Sequence, residues 1–292
     1  MSLQEEFIME VYESNVKAIK RLAKEGAQVN ASDCNGITPM IVACMGGNVE
    51  VIKILAELGA CVNTYGGSGN NVTPIYIAAE TRRVGAMKTL CALGADVNAP
   101  GPDGCAPLHQ AAGSGEIGII KTLATLGADM NALTFDERIP LHLAAQQGHV
   151  NAIKVLIERG SHLNAIDSTG RTPAYLAAWA GQASSIRALA ERGADMCIPN
   201  KTGTTPLSIA IEKGFVEVVK ALAKLGADVN AEDAEGFSPL FLAVQYGHVD
   251  LLRCVEFVVC VVKCYTRPLC MWYMYSHLFR LTTDSLFYAG HW

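Results

Sequence analysis

Hydrophobic residues recur at helical spacing in two short runs between positions 203 and 231. The apolar positions are Leu207, Ile209, Ala210 and Ile211 in the first run, and Val216, Val218, Val219, Leu222 and Leu225 in the second. Thr205-Pro206 precedes the first run, and this pair is typical of a helix start because the hydroxyl caps free N–H groups and the proline fixes a helical φ. Gly214 and Gly226 follow the two runs and favour helix ends. The segment therefore predicts two short helices joined by a tight turn.

The same predicted helix pair recurs along the chain. First-helix starts are marked by Thr38-Pro39, Thr73-Pro74, Ala106-Pro107, Ile139-Pro140, Thr172-Pro173, Thr205-Pro206 and Ser238-Pro239. Second-helix ends are marked by Gly26, Gly59, Gly94, Gly127, Gly160, Gly193 and Gly226. Both series advance by 33 residues except for one step of 35, so one loop carries two extra residues. Two short helices cannot bury their apolar faces alone, and this period therefore predicts stacked repeats that share a core.

Several motifs identify the repeat. Pro107-Leu108-His109, the sequence Pro-Leu-His-Leu-Ala-Ala at 140–145, Gly148-His149-Val150 and the recurring Gly-Ala-Asp-Val-Asn-Ala resemble the ankyrin repeat over about residues 2 to 255. The resemblance implies an all-α solenoid of helix-turn-helix pairs with β-hairpin loops that project to one side. It also implies protein binding through the hairpin tips and the concave face of the first helices.

The repeats organise the chain into two regions. Residues 1–255 are predicted to form the solenoid of about eight repeats, the first an N-terminal cap and the last incomplete, because Val259 stands where its closing glycine is due. Residues 256–292 form a non-repeat tail with nine of the 20 aromatic residues and three of the ten cysteines. We expect this tail to be partly helical and poorly packed. The alternatives are a segment that folds back as a cap and an altered transcript end.

The third repeat differs from the others in its loop and its turn. The insertion lies in the glycine-rich stretch 65–71, which predicts a longer and looser loop, and Arg82 replaces the usual first-helix glycine. The turn must then form without the residue best suited to positive φ. Arg82 and the following Arg83 are either a basic contact for an acidic partner or ordinary variation at a solvated turn.

Composition restricts the class of protein. The 292 residues are 50% hydrophobic and 17% charged with a formal net charge of -5, which predicts a folded chain and no basic surface for nucleic acid. The N-terminal residues are acidic where a secretory signal would be basic, and the cysteines are scattered. We therefore expect free thiols and a cytoplasmic protein, with the nucleus as the alternative. The apolar run 257–262 is too short to span a membrane, so no integral span is expected.

Catalytic and metal-binding motifs are absent from the sequence. His109, His142, His149 and His248 occupy two recurring repeat positions, so repetition explains them better than catalysis. The family resemblance implies that they form hydrogen bonds with neighbouring loop backbone. The sequence contains no Cys-x-x-Cys, no phosphate-binding loop and no nucleophile elbow, and the group Cys260, Cys264, Cys270 and His277 lacks zinc-ligand spacing. We expect no enzyme, no metal and no cofactor.

Recognition is predicted at positions that vary between repeats. The candidate partner-binding residues are Phe135, Arg138, Gln146, Arg171, Trp179, Phe237, Gln245 and Tyr246, because aromatic residues and arginine dominate many interfaces. For Trp179 the alternative is packing on a neighbouring repeat. The sequence thus predicts a monomeric, non-catalytic adaptor or scaffold for an unidentified protein partner. The alternative is a regulatory or docking portion of a larger enzyme or membrane assembly.

An asparagine recurs in the loop after the second helix in six repeats, at Asn30, Asn63, Asn98, Asn131, Asn164 and Asn230. The resemblance implies that asparaginyl hydroxylases modify this position in some family members, and Asn98 and Asn230, within Leu-Gly-Ala-Asp-Val-Asn, are the best candidates. The alternative is that the asparagine only satisfies backbone groups of the turn.

Overall fold

The computed structural model describes residues 2–67, 72–228, 232 and 236–253. These residues form sixteen α-helices in two compact units that are divided between Ser168 and Thr169. The described residues contain no named strand, so the predicted all-α repeat solenoid is confirmed. Loop residues 68–71 and the predicted tail at 256–292 lie outside the described residues.

The first unit contains five helix pairs. They are α1 (Leu3–Tyr12) with α2 (Val16–Lys24), α3 (Pro39–Gly46) with α4 (Val49–Glu57), α5 (Pro74–Glu80) with α6 (Val84–Ala92), α7 (Pro107–Gly113) with α8 (Ile117–Thr125), and α9 (Pro140–Gln147) with α10 (Val150–Glu158). The first helices α1, α3, α5, α7 and α9 pack side by side in chain order. Among the second helices, α4 packs on α6 and α8 packs on α10.

The described part of the second unit contains three helix pairs. They are α11 (Pro173–Trp179) with α12 (Ala183–Ala190), α13 (Pro206–Glu212) with α14 (Val216–Lys224), and α15 (Pro239–Gln245) with α16 (Val249–Arg253). The first helices α11, α13 and α15 again pack in chain order, and α12 packs on α14. Each unit therefore repeats one helix-pair arrangement.

The helices begin where the capping residues predict. Thr205 accepts a hydrogen bond from the Ser208 N–H at 3.1 Å, with proline at the first helical position. Ala106 and Ile139 have no side-chain acceptor, and a histidine three residues later replaces it. The ring of His109, for example, accepts the Ala106 N–H through Nδ1 at 3.1 Å. Each start thus satisfies an N–H group that would otherwise lack a partner.

The two helices of a pair bury different fractions of their surface. In α13, every residue from Pro206 to Ile211 is buried, whereas α14 buries one face containing Val218, Val219 and Leu222. The first helices α3, α5, α7, α9, α11 and α13 therefore lie inside their units, with exposed residues only towards their C-terminal ends, whereas α1 is also exposed at Leu3, Glu5 and Met9.

The turn between the two helices requires a left-handed backbone. Glycine occupies this position in most repeats, as at Gly115 with φ of 69°. Ser14 and Arg82 adopt φ of 61° at the same position without being glycine. The prediction that the third repeat forms this turn without a glycine is thus confirmed, because Arg82 itself adopts the positive φ.

Adjacent repeats are joined across this turn. A side chain of the next repeat covers the turn glycine, so a Cβ added to Gly115 would lie 2.7 Å from Nδ1 of His149. The other joints of this kind are Gly47 with Arg83, Gly181 with Phe215, and Gly214 with His248. In the third repeat, Arg82 forms an ion pair with Glu116 of the fourth repeat instead.

The loops that precede the first helices are tight turns. Thr134 N–H donates to the Arg138 carbonyl at 3.0 Å, and Gly101 N–H donates to the Cys105 carbonyl at 2.9 Å. The β-hairpins implied by the family resemblance are therefore reduced to single hydrogen-bonded turns in the described residues, apart from one isolated bridge between Gly66 and Val72. About five residues per turn are too few to extend a ladder.

Candidate functional site

Two aromatic side chains stand at first-helix ends of the second unit. Trp179 is the last residue of α11 and is 42% exposed, although every other residue of that helix is buried. Tyr246 follows α15 directly and is 48% exposed, with its ring centroid 6.3 Å from that of His248. Each residue is therefore about half buried and still presents a large accessible surface.

The other predicted residues of the second unit differ in their availability. Gln245 ends α15 and is exposed, and Arg171 is half-buried before α11. Phe237 stacks on Phe241, with ring centroids 4.5 Å apart and an interplanar angle of 10°. This stacking uses one face of the Phe237 ring within the repeat.

In the first unit, Phe135 and Gln146 occupy the two kinds of predicted position. Phe135 lies at a loop tip and is 81% exposed, and its ring approaches Gly104 of the preceding loop. The Phe135 N–H donates to the Asp103 carbonyl at 3.1 Å, which fixes the base of the side chain. Gln146 is half-buried near the end of α9.

Arg138 is held inside the first unit. Its Nε lies 3.6 Å from a carboxylate oxygen of Asp167, whose side chain is fully buried, and only 25% of the Arg138 side chain is exposed. A buried carboxylate without a nearby cation would be strongly unfavourable. Arg138 therefore stabilises the buried carboxylate of Asp167, in addition to its predicted role in recognition.

The recurring loop asparagines connect successive repeats. Asn131 accepts the His162 N–H through Oδ1 at 2.8 Å and donates through Nδ2 to the Gly160 carbonyl at 3.2 Å. Asn30 and Asn63 bridge to the next repeat in the same way. The candidate Asn98 accepts the Asp129 N–H at 2.8 Å. Asn230, the other hydroxylation candidate, lies outside the described residues.

The two arginines of the third repeat make contacts within the protein. Arg82 pairs with Glu116, and Arg83 donates through Nε to the Met45 carbonyl at 3.1 Å. These contacts favour repeat packing over a dedicated basic site for an acidic partner.

The histidines have structural partners. His109 accepts the Ala106 N–H through Nδ1, so its Nε2 carries the proton and donates to the Arg138 carbonyl at 2.9 Å. Burial lowers the pKa of His109, opposed by its hydrogen bonds to backbone groups. His149 and His248 contact the Gly113 and Glu212 carbonyls at 3.0 and 2.8 Å. These bonds support the structural interpretation of the recurring histidines.

Burial makes three of the thiols less reactive. Burial raises the pKa of Cys44, Cys91 and Cys105, whereas a nucleophilic cysteine needs a lowered pKa. All six cysteines of the described residues are free. In this part of the chain, no helix is long and apolar enough to cross a membrane, and no group of three potential ligands could hold a metal ion. The group from Cys260 to His277 lies outside the described residues.

Tyr12 is an exposed aromatic residue that the sequence prediction did not include. Tyr12 ends α1 and is 75% exposed, one 33-residue step before Met45, which is 42% exposed at the end of α3. The repeat period itself could have identified Tyr12. Its repeat lacks the proline that marks the start of the other first helices, so the sequence gives no local marker for the end of α1.

Comparison with known proteins places these features in context. A sequence model described as ankyrin repeats (3 copies) matches residues 7–101, 67–134, 108–200 and 193–260. The putative E3 ubiquitin-protein ligase XBAT34 of Arabidopsis thaliana is 43% identical over 65 residues, which are 22% of this chain and 17% of that protein. The matched segment therefore spans only a small part of the relative.

Proposed function

The chain belongs to the ankyrin-repeat family, and from this membership we propose that it is a non-catalytic adaptor or scaffold that binds a protein partner. Ankyrin repeats are generally protein-interaction modules. The proposed contacts are the first-helix ends and the loop tips, namely Phe135, Arg138, Gln146, Arg171, Trp179, Phe237, Gln245 and Tyr246.

The observation that carries this proposal is the exposure of Trp179 and Tyr246 at helix ends. An aromatic ring of this kind offers a large contact area at a small entropic cost, and such residues supply much of the binding energy of protein interfaces. The helices hold the rings in place before binding, so little ordering is required on association. The first-helix ends are therefore suited to bind a protein partner, and this function needs no catalytic group.

The test compares partner capture by the full chain and by matched variants. The test variant carries Trp179→Ala and Tyr246→Ala, and Leu225→Ala is the control because Leu225 is also 42% exposed but lies at the end of a second helix, α14. Each true contact should cost at least ~2 kcal/mol, or about 30-fold in Kd, measured with the captured partner after purification. Unchanged affinity in the double variant, with circular dichroism unaltered, would place the site elsewhere.

A second candidate function is a docking region for a ubiquitin-ligase assembly. It rests on the match to the XBAT34 relative, which is named as an E3 ubiquitin-protein ligase. A ubiquitin-transfer assay distinguishes the two candidate functions. The purified chain is mixed with activating and conjugating enzymes, ubiquitin and ATP. Ubiquitin transfer by the chain alone would contradict the non-catalytic proposal, whereas capture of a separate ligase would favour the docking function.

For the compartment, we propose the cytoplasm, with the nucleus as the alternative. The support is the set of unpaired cysteines in the described residues, because free thiols persist in reducing compartments. Hydroxylation of Asn98 and Asn230 remains a proposal. Mass spectrometry of peptides from the native cell would contradict it by showing neither asparagine with an added oxygen.

A further inference from the structure

Four exposed side chains form a stripe along the loop edge of the first unit. They are Tyr65, Pro100, Leu133 and Ile166, and each is the second residue after the recurring loop asparagine. The exposed fractions are 55% for Tyr65, 60% for Leu133 and 54% for Ile166, and Pro100 is also exposed. Because four successive repeats contribute one residue each, these side chains follow the stacking direction. We call them the edge stripe.

The packing of the repeat does not require apolar residues in the edge stripe. Ser32 occupies the same position in the first repeat and is exposed. The core is completed by the neighbouring positions instead, where Val97, Ala99 and Met130 are buried. The apolar character of the stripe is therefore available for a contact outside the repeat.

Carboxylates flank the centre of the edge stripe on both sides. Asp96 and Asp129 precede Pro100 and Leu133 by four residues, and Asp103 and Asp136 follow them by three. All four are exposed, as is Glu137.

Few positive charges offset these carboxylates. The segments 94–106 and 127–137 contain no lysine or arginine. The next residue, Arg138, approaches the buried Asp167 at 3.6 Å. The centre of the stripe is therefore an apolar row between acidic groups.

We propose that the edge stripe binds an extended, basic segment of a protein partner whose apolar residues lie on one face. Packed helices are about 8 to 10 Å apart, so successive stripe residues are separated by about one such step. A polyproline II chain advances about 9 Å in three residues and returns to the same face. One apolar residue in every three therefore matches the stripe, and the intervening cations match the acidic rows.

This proposal goes beyond the proposed function because it concerns a second surface and a defined ligand chemistry. It uses none of the eight residues assigned to the first-helix ends and loop tips. A failure at the edge stripe would leave the evidence from Trp179 and Tyr246 untouched. The two surfaces can thus be tested separately in the same full-length protein.

The probe is a fluorescent peptide of four Lys-Lys-Leu triplets, with Glu-Glu-Leu and Lys-Lys-Ser peptides of equal length as controls. Fluorescence anisotropy should show binding of the first peptide at least tenfold tighter than either control. Because exposed charges are screened by salt, raising NaCl from 50 to 500 mM should weaken this binding several-fold.

Variants of the protein locate the site. Leu133→Ser with Ile166→Ser should weaken peptide binding at least tenfold, and Asp103→Asn, Asp136→Asn and Glu137→Gln together should weaken it at least threefold and reduce its salt dependence. Trp179→Ala should leave it unchanged. All altered side chains are exposed, so circular dichroism and the thermal midpoint should be retained. Equal binding of the three peptides, or full binding by the folded Leu133 and Ile166 variant, would overturn the proposal.

Discussion

Replacing Asn131 by alanine tests whether the loop asparagines hold successive repeats together. The substitution removes two hydrogen bonds, one from the His162 N–H at 2.8 Å and one to the Gly160 carbonyl at 3.2 Å. A neutral hydrogen bond contributes about 0.5 to 1.5 kcal/mol net. Both bonds lie in exposed loops where water can replace the lost partner, so the free energy of unfolding should fall by only about 1 to 2 kcal/mol.

The assay is urea unfolding of the full chain, followed by circular dichroism. Cys197→Ala is the matched control, because Cys197 occupies the position of the loop asparagine in the sixth repeat, where a thiol replaces the bridging amide. It should lose less stability than Asn131→Ala. Amide hydrogen exchange should also accelerate at His162 in the Asn131 variant alone. Equal losses in the two variants, with unchanged exchange at His162, would refute the bridging role.

Two further substitutions test the turn joint and the buried histidine. Gly115→Ala should lower the free energy of unfolding in urea by about 2 to 3 kcal/mol, because φ is 69° and the new Cβ would lie 2.7 Å from the His149 ring. Gly127→Ala, with φ of 90° and no heavy atom within 4 Å, should lose only the part that comes from backbone strain. Equal losses in the two variants would contradict the joint. Burial lowers the pKa of His109, so this ring binds a proton more readily in the unfolded chain than in the folded one. The stability that depends on neutral His109 is therefore fully present above pH ~6.5 and is lost as the pH falls towards the lower pKa of the folded state. The free energy of unfolding, measured by urea titration from pH 7.5 to 5.5, should therefore fall more steeply for the parent chain than for His109→Gln, by at most about 1.4 kcal/mol per pH unit. Parallel curves would contradict this cause.

The repeat period predicted the backbone features well. Thr205 caps α13, and the closing glycines lie in the left-handed region, as at Gly226 with φ of 85°. These features depend on residues a few positions apart, so the local sequence determines them. The period also identified the recurring histidines as structural, which their hydrogen bonds support.

Long side chains were harder to predict than the backbone. Arg138 varies between repeats in the manner of a binding residue, yet its guanidinium lies beside the buried Asp167. Phe237 likewise stacks on Phe241 within its own repeat. The rotamers of such residues depend on neighbouring side chains, and a 33-residue period carries no information about them. The edge stripe was not predicted for a different reason, because its positions lie outside the loop tips and helix ends to which the family resemblance assigns binding.

The joint between the third and fourth repeats restricts how this gene could gain or lose repeats. At four joints, arginine, histidine or phenylalanine of the next repeat lies against a turn glycine. Repeats exchanged at these joints would therefore meet a position that accommodates several kinds of side chain. Between the third and fourth repeats, Arg82 pairs instead with the carboxylate of Glu116. Deletion of the fourth repeat alone would place Arg82 beneath the His149 ring, and deletion of the third alone would place Glu116 over Gly47. Recombination should therefore preserve the third and fourth repeats as one inherited block.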